Sequence, residues 1–201
     1  MKIVIVGLGV IGGSFALALK QAGDDDVYGV DTNAETLEKA EKMGIIRKGC
    51  KEGKAFFPEA DLIILAIYPK LIRAFVEQNQ ALFKKGCIVT DTTGIKRPFI
   101  REITEALPEG VEFVFGHPMA GREKKGIDFA SAEVFKGANY LITPTERNKE
   151  QSLAVIESLV KQLGFKRVRR ITPEMPDEMI GYTSQLPHAM AVALINSDEE
   201  G

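Results

Sequence analysis

Residues 2–31, KIVIVGLGVIGGSFALALKQAGDDDVYGVD, decide the fold. An apolar run from Lys2 to Val6 ends in Gly7-Leu8-Gly9-Val10-Ile11-Gly12 and passes directly into a segment of helical period. A second short run, Val27 to Val30, then ends at Asp31. Strand, glycine turn, helix and acid-tipped strand follow one another as a dinucleotide-binding βαβ unit requires. Gly7 permits the tight turn, Gly9 leaves room for a pyrophosphate, and Gly12 lets the helix pack closely on the strand. Leu8, Val10 and Ile11 complete the turn, and the N–H groups of the first helical turn are open to phosphate. Asp31 falls 19 positions after Gly12, where a carboxylate accepts hydrogen bonds from an adenosine ribose. That carboxylate repels a 2′-phosphate, and Thr32, Asn33 and Ala34 supply no cation to receive one. The expected cofactor is therefore NAD and not NADP.

The rest of the chain alternates strand and helix. Helical period recurs from Ala34 to Met43, with Gly44 as a stop. Asp61 to Ile67 is apolar and β-branched, the pattern of a central parallel strand buried on both faces. Pro69 opens a helix to about Phe83, Cys87 to Asp91 is a strand, and a helix runs from about Pro98 to Ala106. Glu112 to Phe115 and Asn139 to Thr143 read as strands, Glu150 to Leu163 as amphipathic helix, and Lys166 to Ile171 as the last strand. The fold class is α/β: a Rossmann-like, doubly wound, mostly parallel sheet over residues 1–171. At Thr172-Pro173-Glu174 a helix-start signal opens a second, all-helical region, residues 172–201. Within it Ala189 to Ile195 (AMAVALI) is apolar nearly all round and needs a partner surface. The region reads as the beginning of a longer helical domain, so a truncated or partial form is expected.

Composition narrows the function classes. The 201 residues are 45% hydrophobic and 27% charged, with a net charge of −2. That balance gives no electrostatic case for nucleic acid or an anionic membrane. The basic cluster Lys166-Arg167-Val168-Arg169-Arg170 alternates as a strand does and reads as a solvated edge. Cys50 and Cys87 form no CxxC or metal-ligand pattern; no metal is expected, and isolated thiols suit a reducing cytoplasm. Residues 3–19 contain four glycines and a serine, which suits strand, turn and helix and not a signal peptide or membrane span.

The chain has two histidines. His117, in Phe115-Gly116-His117-Pro118-Met119-Ala120-Gly121, falls just past a predicted strand end, the edge where doubly wound folds bind ligands. Imidazole takes up a proton near neutral pH, so His117 is the catalytic candidate, against the alternative of a buried, satisfied histidine. His188, beside Pro187, is weaker on its own terms. Ala66, Ile67 and Tyr68 end the central strand and are expected beneath the cofactor. Asp91 and Thr92, at the next strand end, are expected at its nicotinamide half, with Thr93 and Gly94 toward a substrate. An ordinary strand-to-helix loop is the alternative for that stretch. Glu123, Lys124 and Lys125 form a charge run of the kind usually found on solvated surface.

GLGVIGGSFALAL, DTTGIK, GHPMAGREKKG and SQLPHAMAVAL, in this order and spacing, resemble the prephenate and arogenate dehydrogenase family over essentially the whole chain. The pairing of GHPMAG with LPHAMAVAL is far more selective than the glycine motif. The resemblance implies NAD-dependent oxidative decarboxylation of prephenate to 4-hydroxyphenylpyruvate, or the matching conversion of arogenate to tyrosine. It implies that His117 draws the proton from the ring hydroxyl as hydride leaves ring carbon C4, with activity falling in acid as His117 protonates. It also assigns His188 and Glu123 to the substrate pocket and a homodimer to the C-terminal helices. Two departures follow from the same comparison. Many members carry serine where Gly94 stands, so Thr92, Thr93 or a water must replace that hydroxyl. The family also continues into a helical region bearing an arginine that clamps a substrate carboxylate; this sequence stops before it, so an incomplete catalytic constellation and an inactive form are expected. The alternatives are another Rossmann dehydrogenase or reductase of a small anionic substrate, and a non-catalytic NAD-binding module.

Overall fold

A computed structural model describes residues 1–94, 100–120 and 124–172. The expected helical region from Pro173 onward, with His188 and AMAVALI, lies outside the described residues, as does Glu123.

Two central strands carry the fold: β1 (Ile3–Val6) and β4 (Leu62–Leu65) are buried at every position. Strands apolar on both faces need cover on both sides, and parallel pairing through helical crossovers supplies it. The chain runs from β1 through α1 (Val10–Gln21), β2 (Val27–Val30) and α2 (Ala34–Lys42) to β3 (Lys48–Cys50) on one flank. It then crosses back to β4 and runs outward through α3 (Pro69–Asn79), β5 (Ile88–Asp91), α4 (Ile100–Ala106) and β6 (Glu112–Pro118). β7 (Asn139–Thr143), α5 (Glu150–Gln162) and β8 (Arg167–Arg170) complete the other flank. The resulting eight-stranded sheet has the order β3-β2-β1-β4-β5-β6-β7-β8. Every neighbouring pair is parallel except β6 with β7. This is the doubly wound, mostly parallel sheet expected, and its winding reverses between β1 and β4.

Two apolar layers clamp the sheet. One joins Ile3, Ile5, Leu62 and Ile64 to α1 and α5, with Phe15, Phe135 and Phe165 packed ring against ring. The other joins Val4, Val6, Ile63 and Leu65 to α3 and α4, with Phe57 edge-on to Phe75 and Phe83. Side chains alternate between the layers along each strand. The basic strand β8 forms the sheet edge, where the Arg170 guanidinium binds Glu150 and Glu157. Among the described residues no helix is long and apolar enough to cross a membrane.

Three differences from the sequence reading have physical reasons. β3 has no counterpart in that reading: Lys48-Gly49-Cys50 is short and mixed in polarity, and it is a strand because β2 offers an open edge. β6 continues through His117 to Pro118 and does not stop at Phe115. It pairs with β5 as far as Val114 and then, past the end of β5, with Tyr140–Thr143 of β7 running the opposite way. His117 is therefore a strand residue, paired with Leu141, and not a loop residue beyond the strand. Finally, the helix from Pro69 ends at Asn79, and Gln80–Leu82 tightens into a 3₁₀ turn.

Candidate active site

The glycine turn is fixed from both sides. Gly7 donates to Val30 O at 2.8 Å and adopts a φ of +86°, open to glycine at little cost. A Cβ on Gly7 would stand 2.5 Å from Ala66 O, and one on Gly12 would stand 1.8 Å from Gly7 O. Both positions exclude a side chain because protein occupies the space. Gly9 differs: a Cβ there meets no atom within 4 Å. Its φ of −70° is one that any residue adopts. Neither packing nor φ requires glycine at Gly9.

Asp31 closes the turn onto β2. One carboxylate oxygen accepts from Leu8 N at 2.7 Å and the other from Asn33 N at 2.9 Å. Asn33 in turn caps α2, accepting from Glu35 N and Thr36 N. α1 has no such cap: Gly9 offers no side-chain acceptor and the first turn holds no acidic residue. The positive end of the α1 dipole and its first N–H groups face the open space beside Gly9.

That space is a cleft of about 1120 Å³ across the point where the winding reverses. Gly7, Gly9, Val10 and Ile11 form its floor, and Asp31 and Thr32 stand at the β2 end. Ala66, Ile67 and Tyr68 line the middle, and Thr92 and Thr93 the far end, so eleven of the expected residues meet in one cavity. Leu8, Gly12 and Asp91 do not line it; they form its frame. Asp91 is fully buried at the tip of β5. One of its oxygens accepts from both the backbone N–H and the hydroxyl of Thr93, and the other accepts from Gly116 N at 3.1 Å. A buried carboxylate is tolerable with donors of this kind around it. Here it ties the loop bearing Thr93 to the residue before His117.

Gly116 itself leaves no room: a Cβ would stand 2.0 Å from the Tyr140 hydroxyl. Complete burial pushes that hydroxyl's pKa well above the usual phenol value. It therefore remains a neutral hydrogen-bonding group beside Thr90, whose own hydroxyl donates to Val114 O at 2.7 Å. His117 follows on the sheet face shared by Phe113 and Phe115, partly exposed, with its Nδ1 buried. Neither His117 nor Gly94 lines the cleft.

Three groups of wall residues carry no clear signal in the sequence. Lys51, Glu52, Gly53 and Lys54 follow β3 and reach the β2 end of the cleft, where Asp31 N donates to Cys50 O at 3.3 Å. Leu71, Phe75 and Gln78 come from one side of α3, at a helical spacing that could have found them, and Tyr68 and Leu71 are among the most exposed large apolar side chains. Lys124, Lys125 and Gly126 complete the wall, although the charge run reads as solvated surface. Among the described residues no cluster of three or more His, Cys, Asp or Glu side chains is arranged to hold a metal ion.

Comparison with known proteins identifies the family. The family model described as prephenate dehydrogenase, nucleotide-binding domain, matches residues 15–169. The chain belongs to this prephenate dehydrogenase family. Within the family, prephenate dehydrogenase of Lactococcus lactis subsp. cremoris is 34% identical over 198 residues, which are 96% of this chain and 53% of that protein. Arogenate dehydrogenase of Synechocystis superposes with a TM-score of 0.90 at 31% identity, covering 100% of this chain and 71% of that one. Prephenate dehydrogenase of A. aeolicus, solved with hydroxyphenyl propionate and NAD+, superposes with a TM-score of 0.88 at 31% identity, covering 96% and 68%. The chain spans about half the length of the first two curated prephenate dehydrogenases it matches.

Proposed function

We propose that this chain carries the NAD site and the catalytic histidine of an NAD-dependent dehydrogenase that oxidatively decarboxylates prephenate, or converts arogenate to tyrosine. The observation that carries the reading is the continuous cleft from Asp31 to Thr93, with space reserved beside Gly9. The residues fit a dinucleotide. The open first turn of α1 suits a pyrophosphate, Asp31 and Thr32 suit a ribose, and Ala66, Ile67 and Tyr68 lie along the middle. Lys51 and Lys54 bring cations to the Asp31 end, a point against the exclusion of NADP. Two features still favour NAD: the Asp31 carboxylate is held in place by two backbone bonds, and Lys54 is engaged by Glu52 at 3.1 Å.

NAD, when bound, accepts the hydride that leaves ring carbon C4. His117, neutral, takes the proton of the ring hydroxyl; the carboxylate departs as carbon dioxide and the ring becomes aromatic. Aromatisation drives the reaction, so the protein's task is to position two molecules and one base. The Asp91–Gly116 bond fixes the strand that presents His117, and Thr93 places a hydroxyl at the cleft end where Gly94 has none. Glu123 and His188 are assigned to the substrate, and the C-terminal helices to a homodimer. The free thiols Cys50 and Cys87 suit the cytoplasm.

The test is NADH formation by the purified chain with NAD and prephenate, with arogenate in parallel, alongside NAD affinity of His117→Asn. NAD binding by the chain, retained in His117→Asn, is the expected result, with whatever turnover the chain shows on either substrate abolished in that variant. Undiminished turnover in His117→Asn rejects the assigned base, and absence of NAD binding rejects the whole reading.

A further inference from the structure

Residues 126–131, after β6, return across α1, and three contacts hold them there. Ser14, in the second turn of α1, donates to Val10 O at 2.6 Å and accepts from Ser131 N at 2.9 Å. Gly13 lacks a Cβ where one would stand 2.8 Å from the Ala130 methyl and 3.3 Å from Ile127. Asp128 binds Lys39 of α2 at 2.9 Å. Gly126, with a φ of +95°, redirects the chain at the start of this docked segment. Lys124 and Lys125 precede it and line the same cleft as Gly9, Val10 and Ile11. The ammonium of Lys124 rests 4.8 Å above the Phe129 ring, which gives a long side chain a preferred position.

We infer that Lys124 and Lys125 are cofactor-binding residues: cations of the cleft that contains the α1 N-terminus, which bind the diphosphate of the dinucleotide. This rests on the nucleotide reading above and assigns the charge within it. The helix end provides N–H donors but only a partial charge, whereas a diphosphate carries two full negative charges. The α1 cap and first turn contribute no side-chain cation. Of the cationic side chains in the cleft wall, Lys51 and Lys54 stand beside Asp31 and Glu52, at the ribose end. Lys124 and Lys125 are the other cationic side chains that line the cleft. The Ser14–Ser131 seam fixes the segment that follows the lysines against α1.

Titration calorimetry of the 201-residue chain with NAD, ADP and adenosine tests this, using K124M/K125M and K124R/K125R. Both side chains are exposed, so neither pair disturbs the core. The methionine pair is expected to bind NAD and ADP about tenfold more weakly, to bind adenosine as before, and to show a shallower salt dependence. The arginine pair is expected to retain wild-type affinity. Unchanged NAD affinity in the methionine pair, or an equal loss for uncharged adenosine, overturns the inference while leaving the nucleotide site standing. A wild-type chain that binds neither NAD nor ADP overturns the nucleotide reading and this inference together.

Discussion

Three glycines of one motif are required for three different reasons, and single substitutions separate them. Gly7 and Gly12 are enclosed by Ala66 O and by Gly7 O respectively, whereas Gly9 faces empty space. Gly9→Ala is expected to leave the urea midpoint at its wild-type value and to weaken NAD binding by at least about tenfold, some 1.4 kcal/mol. Gly12→Ala drives a methyl into the turn and is expected to destabilise the fold by about 1–3 kcal/mol, as overpacking does. Equilibrium urea unfolding and NAD titration of the two variants check both. A Gly9→Ala protein that loses stability, or one that keeps full NAD affinity, removes the strongest argument for a ligand at that position. The sequence motif assigns the turn to Gly7, the pyrophosphate to Gly9 and close packing to Gly12; in the fold Gly7 and Gly12 are enclosed by protein and Gly9 is the one of the three with open space beside it.

At the scale of elements, the strands with both faces apolar are legible in the residues themselves. IVIV and LIIL admit little else, and the acidic tip at Asp31 is placed by the length of the strand that leads to it. Pairing that depends on a neighbour is not legible in this way. β3 has no hydrophobic pattern of its own, and the Lys51–Lys54 wall is hidden along with it. The extension of β6 is likewise set by β7. Local pattern therefore puts His117 one element too far along. The Asp91–Gly116 bond joins residues 25 positions apart and leaves no local signature.

The opposite edge of the sheet allows an element-scale prediction. Asp61 immediately precedes β4: one oxygen binds the Lys84 ammonium at 2.5 Å and the other accepts from Lys2 N at 2.8 Å. Lys84 first, then the Lys2 N–H, holds its carboxyl below the ordinary 3.8. A depressed folded value means the stabilisation is complete above the unfolded pKa and is lost as pH falls through the folded one. The side chain is 42% exposed, so its contribution is screened and amounts to about 1 kcal/mol or less. Asp61→Asn is expected to be less stable than wild type by a constant margin from neutral pH down to about pH 5, with the margin closing below about pH 4. Urea midpoints measured across that range decide it; a margin that persisted unchanged into strong acid would show the carboxylate's charge to be irrelevant.

For the whole molecule, the cleft exists only because strands from both windings meet. Gly9 belongs to the β1 side, Asp31 to β2, Ala66 to β4 and Thr93 to β5, and unfolding any of these disperses the site. A ligand of that cleft therefore binds the native chain and not the unfolded one, and its binding energy adds directly to stability. At a hundred times its dissociation constant, NAD is expected to contribute about 2.7 kcal/mol. For a chain of this size that raises the thermal midpoint by roughly 5–11 °C. Gly9→Ala at the same NAD concentration should show a smaller rise, because its affinity is lower while its unliganded midpoint is unchanged. Scanning calorimetry of both proteins, with and without NAD, needs no turnover and so tests the cofactor site separately from the chemistry. Equal rises in the two proteins would mean that NAD binds somewhere other than beside Gly9. No rise in either would mean that a cleft with the shape of a dinucleotide site does not hold one, and the proposed hydride transfer would lose its acceptor.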